Sequence, residues 1–545
     1  MDGSAEVFAA WDAAQHVRSA AQGPVLRMAC SRSSIASAGS WLSLAVEVVS
    51  ELFTDGLETT RRAAVGRLAV PQAVNRLPRG RSCSMKPFQV ELNSEGRTCY
   101  TYDTEHCLIA PSRLLPLWPK GRRHVPSLDP VSAKTIEHHV RRQGFGELIL
   151  ELTEVCNFRC RYCVYSTVYP NSRAHGIRQM SRERALAATK WYIDSVQTFE
   201  EYNPRRRPIV TFYGGEPLAN WSVLRECVNF AEEYSPRPCL FLLTTNGSLV
   251  TDRVAKFFVA HDMLPTFSID GPASEHDRNR RFSGGKPTHS RVMTGVQRYI
   301  QASGCEAFVN TVYDPKTDLE AVMNFFIEHP ELVPFSVTPV NPFDTLYYEQ
   351  FTAGEKERLI TQHREMLNLF IRVMTDPADA SDLGQRRFLY ALVGRSLLQP
   401  FLKTHEREET DRIIQYTGTC VPGDKIYVAV DGRLHACERV EHSRPIGTVE
   451  DGLDFESIAS LVNELRALMK GCTACDIRNS CGSCLQTFLS GAVLRRNEGI
   501  CCDGVNDFYG ALTASIELAE IDPSWIERYT SEYHSAIARA AVRLQ

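Results

Sequence analysis

The stretch Leu152–Ser166, LTEVCNFRCRYCVYS, sets three cysteines, Cys156, Cys160 and Cys163, at spacings of four and then three residues. A tetrahedral zinc site takes four ligands, usually as two paired hooks. A disulfide framework uses an even number of cysteines in a secreted chain. Three clustered thiols with no obvious fourth fit neither pattern. They suit a metal centre that leaves one position open for a small molecule, and thiolates in number favour iron–sulfur clusters.

On either side of this stretch a rhythm is visible. Short apolar runs recur at 147–153 (ELILELT), 208–215 (PIVTFYGG), 240–247 (LFLLTTNG), 265–271 (PTFSIDG), 307–314 (AFVNTVYD) and 334–340 (PFSVTPV). Helix-like segments such as SRERALAATKWYIDSVQTF, WSVLRECVNFAEEY and TDRVAKFFVAHD lie between them. Strands alternating with helices predict an α/β fold with a parallel sheet and right-handed crossovers. Six units rather than eight predict a partial (β/α)6, TIM-like barrel over 146–340. Five of the six runs pass directly into polar or glycine-containing motifs at their C-terminal ends, where such barrels place their chemistry. The three-cysteine loop follows the first run.

The chain has 545 residues, 43% hydrophobic and 23% charged, which is ordinary for a soluble globular protein of several domains. A net charge of −4 gives no general reason to expect a nucleic-acid partner. No membrane span is expected: the nearest apolar run, Trp41–Phe53, is short and contains Glu47 and Glu51. The N-terminus lacks the basic-then-apolar order of a secretory signal, so a cytoplasmic, thiol-reducing setting is expected. Residues 1–84 read as an Ala/Ser/Arg-rich extension, with Met85 as an alternative start. Residues 85–145 read as a hairpin, Thr98–Tyr102 and Cys107–Ala110, and a helix from about Ser132 to Gly144, either a peptide-docking module or a brace on the next domain. Residues 341–415 read as a helical bridge, with a capping box at Thr352 and Glu355. A loop-rich, cysteine-rich domain over 416–510 and a helical segment over 511–545 complete the chain.

The cysteine loop and the motifs after it resemble the radical S-adenosylmethionine (SAM) superfamily. The resemblance implies a [4Fe-4S] cluster on Cys156, Cys160 and Cys163, with Tyr162 just before the last thiol. Its open iron would chelate SAM, and one electron would cleave SAM to a 5′-deoxyadenosyl radical that abstracts a hydrogen from substrate. YGGEP (213–217) resembles the family's GGEP motif, implying that Gly214, Gly215, Glu216 and Pro217 meet the SAM amino group. TTNG (244–247) and SIDG (268–271) match the next strand ends and put Asn246, Ser268 and Asp270 near the cofactor. HDRNR resembles the HDxxR element, making Arg280 the partner of the SAM carboxylate.

Eight cysteines lie between Cys420 and Cys502. Cys420-x11-Gly432-x4-Cys437 followed by Cys472-x2-Cys475-x5-Cys481 resembles a SPASM domain, an auxiliary-cluster extension; the next spacing, Cys481-x2-Cys484, is one residue shorter than the usual pattern. A zinc ribbon is the alternative. The resemblance implies two auxiliary [4Fe-4S] clusters, the first on Cys420, Cys437 and Cys484 and the second on Cys472, Cys475, Cys481 and either Cys501 or Cys502. The first then lacks an evident fourth cysteine.

Radical SAM proteins with SPASM domains largely modify peptides, which implies a ribosomal precursor peptide as substrate and a low-potential donor such as flavodoxin or ferredoxin. Tyr169-x3-Arg173-x-His175 resembles a segment of thioether-forming maturases. A sulfatase-type formylglycine maturase, which expects an acidic base near the substrate, and a carbon–carbon crosslinking maturase are the alternative enzymes. An Fe–S redox sensor is the alternative of another class. Tyr165, Tyr169, Arg173 and His175 lie close to the cluster loop in sequence, and Asn310 and Thr338 are placed to line a substrate cavity.

Overall fold

A computed structural model describes residues 89–91, 99–103, 108–111, 127–198, 207–375, 382–397, 413–475, 477–478, 480–496, 498–522, 524–525 and 529. The expected extension over 1–84 lies outside the described residues. Strands β1 (Gln89–Glu91), β2 (Cys99–Asp103) and β3 (Leu108–Pro111) form a small antiparallel sheet in that order. The expected hairpin is β2–β3, with Tyr102 opposite Ile109; β1 is an addition. Helix Ala133–Gln143 starts on Ser132, whose hydroxyl accepts from Thr135 N at 3.1 Å. It buries Ile136 and Val140 in the main core. The residue before it but one, Val131, exchanges two hydrogen bonds with Asn463 of the helix Phe455–Met469.

The main sheet begins with β4 (Leu148–Thr153), β5 (Ile209–Gly214), β6 (Leu240–Thr245), β7 (Leu264–Ser268), β8 (Ala307–Tyr313) and β9 (Leu332–Pro339), all parallel and neighbours in chain order. These are the six expected strands. Helices Arg182–Gln197, Trp221–Tyr234, Asp252–Ala260, His289–Ser303 and Leu319–Glu328 connect them and cover the outer face. Every residue of β4 is buried, while β8 alternates between buried and half-buried, as expected where one face meets helices and the other a lumen.

The sheet does not stop at six strands. Beyond Cys420, where loops were expected, β10 (Ile426–Val428) pairs in parallel with β4, Val428 opposite Leu150. Strands β11 (Arg433–His435), β12 (Gly447–Thr448) and β13 (Gly452–Leu453) continue it antiparallel, giving ten strands. The reason is physical: an incomplete barrel leaves β4 with an unpaired edge, and the C-terminal segment satisfies its backbone groups. The expected capping box is present on helix Ala353–Thr375, with Thr352 N donating to Glu355 Oε2 (2.8 Å) and Glu355 N to Thr352 Oγ1 (3.2 Å). Among the described residues no helix is long and apolar enough to cross a membrane.

Candidate active site

The lumen is a cavity of about 790 Å³. Cys156, Cys160, Tyr162 and Cys163 line it from the loop after β4, facing Gly214, Gly215, Glu216, Asn246, Ser268 and Arg280 from the later strand ends. Asn310 and Thr338 line its wall as well. Pro217 and Asp270 are buried without lining it.

The GGEP segment holds the cysteine loop by its backbone. Gly215 N donates to Thr153 O (2.7 Å) and Glu216 N to Val155 O (2.9 Å). A Cβ on Gly214 would stand 2.3 Å from Thr153 O, and one on Gly215 2.3 Å from Val155 O, so no side chain fits at either place. Both glycines are thus explained by the approach of two chain segments. Glu216 is fully buried and accepts from Leu218 N (3.1 Å), Thr245 Oγ1 (2.7 Å) and Asn246 N (2.8 Å), fastening β5 to the TTNG turn. Asn246 in turn donates to Asn157 Oδ1 at 2.9 Å, inside the cysteine loop.

Tyr162, Asp270 and Arg280 form one buried unit. The Tyr162 hydroxyl donates to Asp270 Oδ2 (2.5 Å) and accepts from Arg280 Nη1 (2.8 Å), while Val312 N donates to Asp270 Oδ1 (3.2 Å). Asp270 therefore positions Tyr162 and Arg280 and turns away from the cavity. His276 and Asp277 of HDRNR are structural: His276 packs in the core against Thr288 Oγ1 (3.1 Å), and Asp277 caps the next helix through Thr288 N (2.6 Å) and His289 N (2.9 Å).

The donor set fits an iron–sulfur cluster with an anionic ligand beside it. Burial, followed by the Glu216 charge, pushes the Cys156 thiol up to about 11; burial, partly opposed by Arg280, pushes Cys160 up to about 12. Such thiols give up their protons only as a metal takes their place. Arg280 is buried in the wall, and its Nε has no hydrogen-bond partner among the described residues. A buried guanidinium at the cavity wall with an unpaired nitrogen fits an anionic group such as a carboxylate.

Arg173 joins the loop to the C-terminal strands. Its guanidinium donates to the hydroxyls of Tyr165 and Tyr427, stands 3.1 Å from Glu151 Oε1 and meets His442 Nε2 at 2.7 Å. Tyr427 lies on β10 and Glu151 on β4. Tyr169 hydroxyl donates to Asn341 O (2.8 Å), and His175 lines the cavity against the Tyr165 ring.

The C-terminal thiols fall into two groups. Cys472, Cys475, Cys481 and Cys484 line the same cavity as the first three. Cys420 and Cys437 lie near Lys425, whose ammonium burial disfavours but Glu438, Cys437, Glu147 and Cys420 together favour more strongly. Gly418 N donates to Ser483 O (2.8 Å), which ties the Cys420 segment to the Cys484 segment. Cys501 and Cys502 sit on helix Glu498–Ile521, and their side chains lie outside the described ones. No disulfide joins the cysteines whose side chains are described.

Three lumen groups were not anticipated. Lys425 Nζ stands 3.4 Å from Glu438 Oε2, Cys437 Sγ donates to the same oxygen at 3.2 Å, and Glu147 accepts from Thr211 Oγ1. Burial opposes ionisation of Glu438, but Lys425 and Arg439 outweigh it and hold the carboxyl below its ordinary range. The available signal was a lysine opening the apolar run KIYVAV.

Residues 150–326 match the Radical SAM superfamily. The fold and site thus define a protein with a radical SAM domain, a class whose cofactors are a [4Fe-4S] cluster and SAM. The chain is homologous to a cysteine-type anaerobic sulfatase-maturating enzyme of Clostridium novyi, 27% identical over 34% of this chain and 48% of the relative. A serine-type enzyme of Bacteroides thetaiotaomicron is 33% identical over 26% of this chain and 33% of its own length. The radical SAM cyclopropyl synthase TigE of Paramaledivibacter caminithermalis is 24% identical over 26% of this chain and 32% of its own. The chain thus spans about half or less of these relatives. In fold it is similar to native anSMEcpe with bound AdoMet, with a TM-score of 0.52 and 20% identity over 71% of this chain and 99% of that one.

Proposed function

We propose that the protein is a radical SAM peptide maturase that forms a thioether crosslink in a ribosomally made peptide. One observation carries the reading: a single cavity is walled on one side by Cys156, Cys160 and Cys163 and on another by Cys472, Cys475, Cys481 and Cys484. Its volume of about 790 Å³ is in the range of small-molecule sites. Bound there, a cluster and SAM supply a hydrogen-abstracting 5′-deoxyadenosyl radical. Arg280 holds the SAM carboxylate, and Tyr162 and Asp270 keep its guanidinium in place. Closing a carbon–sulfur bond also releases the thiol proton and one electron. The C-terminal thiolates, as ligands of auxiliary clusters, provide the electron's acceptor; the tie between Gly418 and Ser483 supports a first cluster on Cys420, Cys437 and Cys484.

A second reading has its own observation. Glu438 lines the lumen as a half-buried carboxylate whose charged form Lys425 and Arg439 favour against burial, and an acidic group there is what oxidation of a peptide cysteine to formylglycine calls for. Anaerobic reconstitution tests the shared core: about twelve irons should fall to about eight when Cys156, Cys160 and Cys163 are all changed to Ala. Dithionite should drive formation of 5′-deoxyadenosine in the parent and none in the variant. With a cysteine-containing peptide, loss of two hydrogen atoms and of the free thiol marks a thioether, whereas an aldehyde in place of the thiol marks formylglycine. Four irons falling to none would remove the auxiliary clusters and with them the maturase reading.

A further inference from the structure

Segments 157–161 and 279–283 run antiparallel as a two-stranded ribbon over the cysteine loop. Phe158 bridges Phe282, Arg159 N donates to Arg281 O (2.8 Å), Arg161 N to Asn279 O (3.0 Å) and Ser283 N to Asn157 O (3.0 Å). Along such a ribbon successive side chains point to opposite faces. Phe158 and Phe282 stack edge to face within the core, and Cys160 and Arg280 line the cavity. Arg159, Arg161 and Arg281 are left on the outer face; none lines the cavity, and Arg159 and Arg161 are exposed. Lys286, in the turn that follows, is exposed too.

Nothing in the described fold explains this concentration of charge. Like charges directly across a ladder are destabilising, and Arg159 stands opposite Arg281. Arg159 Nη1 donates to the carbonyls of Cys156 and Phe158 (2.7 Å each), and Arg281 Nη1 to that of Gly285 (2.9 Å). None of the four cations pairs with a carboxylate among the described residues. Asp277, close by in sequence, has its Oδ1 taken by Thr288 N and His289 N. The chain as a whole carries −4, so this is a local feature.

We infer that the ribbon is the docking surface for an acidic, low-potential, one-electron carrier protein. The inference rests on the proposed function, because each SAM cleaved reductively takes up one electron. The carrier loses that electron and the cluster held by the loop gains it; no bond to the chain forms. Cys160 lies between Arg159 and Arg161 and faces the other way, so a partner seated on the arginines is separated from the cluster ligands by one ribbon. An acidic peptide substrate is the poorer fit, since the cations face away from the cavity where substrate is consumed. Opposite charges on the carrier would steer and orient it.

The test uses reconstituted holoenzyme, a reduced bacterial flavodoxin and the double variant Arg161→Glu/Lys286→Glu. Neither side chain has a described partner, so the fold is not at stake. Binding is read by interferometry at low and at raised salt, and SAM cleavage with flavodoxin and separately with dithionite. At low salt the variant's Kd should rise by about tenfold or more, and flavodoxin-driven cleavage should fall by a similar factor. Raised salt should weaken parent binding and narrow the difference. Dithionite-driven cleavage should stay within about twofold, a small reductant needing no docking. Salt-independent or absent flavodoxin binding to the parent, or an unchanged Kd in the variant, overturns the surface. So does a fall in both cleavage rates together. Failure of the parent to cleave SAM with dithionite would instead sink the proposed function, while the binding data would still judge the surface.

Discussion

The cysteine loop at 156–163 and the cysteine-rich segment at 472–484 line one cavity, yet they are built differently. The loop is held by structure that exists without any metal: Thr153 and Val155 accept from the GGEP backbone, Asn157 from Asn246, and residues 157–161 pair with 279–283. The C-terminal thiols sit between a three-residue 3-10 turn, Lys470–Cys472, and a four-residue helix, Leu485–Phe488. This segment is tied to its surroundings at single points, Gly418 N donating to Ser483 O (2.8 Å) and Ser490 Oγ to Asp344 Oδ1 (2.9 Å), rather than by a row of strand ends. The first site is preset by strand ends; the second depends on what its thiols bind, so ligand loss there is loss of folding free energy. Cys475→Ala should therefore cost the segment 470–496 its hydrogen-exchange protection by a factor on the order of a thousand, while Cys160→Ala leaves barrel protection unchanged. Equal and local losses in both variants would break the comparison.

Arg173 fastens the cysteine-loop side to the C-terminal strand β10 through Tyr165 and Tyr427, and breaking it should be the next largest effect. At Glu151 burial outweighs Arg173 and pushes the carboxyl up; at Arg173 the phenols of Tyr165 and Tyr427 and the Glu151 carboxylate outweigh burial and strengthen the cation. The two directions differ because the arginine has several partners and the glutamate is the more buried. Such a pair adds little net stability but is costly to break. Arg173→Met should destabilise by about 3–5 kcal/mol in denaturant titrations, and Glu151→Gln in the same chain should recover part of it. Additive losses would mean the two residues do not act as a unit.

The contrast also explains what was legible in sequence. The six barrel strands were readable because apolar runs alternate with helix-like segments and five of them end in a polar or glycine-containing motif, and Thr352 with Glu355 marked a helix start because a capping box is local. β10 was not readable: IYV is short, lies among turn residues, and is a strand only because β4 offers an unpaired edge, with paired residues 278 positions apart in sequence. The cysteines, GGEP, TTNG, SIDG and Arg280 were visible as site candidates, but their division of labour was not. Glu216 fastens a turn and Asp270 holds Tyr162, and both facts depend on donors from other strands. Lys425, Glu147 and Glu438 escaped notice for the same reason, since their meeting is tertiary.

The smallest effect concerns a carboxylate wholly within the preset half. Asp314, following β8, accepts from Arg278 Nη1 at 2.8 and 2.6 Å, from Asn279 Nδ2 at 2.8 Å and from the Tyr347 hydroxyl at 2.8 Å. Burial raises its carboxyl, but these donors, Arg278 first, outweigh burial and hold it below the ordinary range. A depressed folded value places the stabilisation above the unfolded pKa and removes it as pH falls through the folded one. Asp314→Asn should thus cost about 1.5–3 kcal/mol at neutral pH, the worth of hydrogen bonds to a charged group. The gap to the parent should close as pH drops below the usual aspartate value of about 3.9. Because Arg278 and Asn279 immediately precede Arg280, the variant also asks whether SAM binding depends on this support. Unfolding midpoints against pH that stay parallel for the two proteins would show that Asp314 is not the source of the acid sensitivity, and that the HDRNR helix end is held without it.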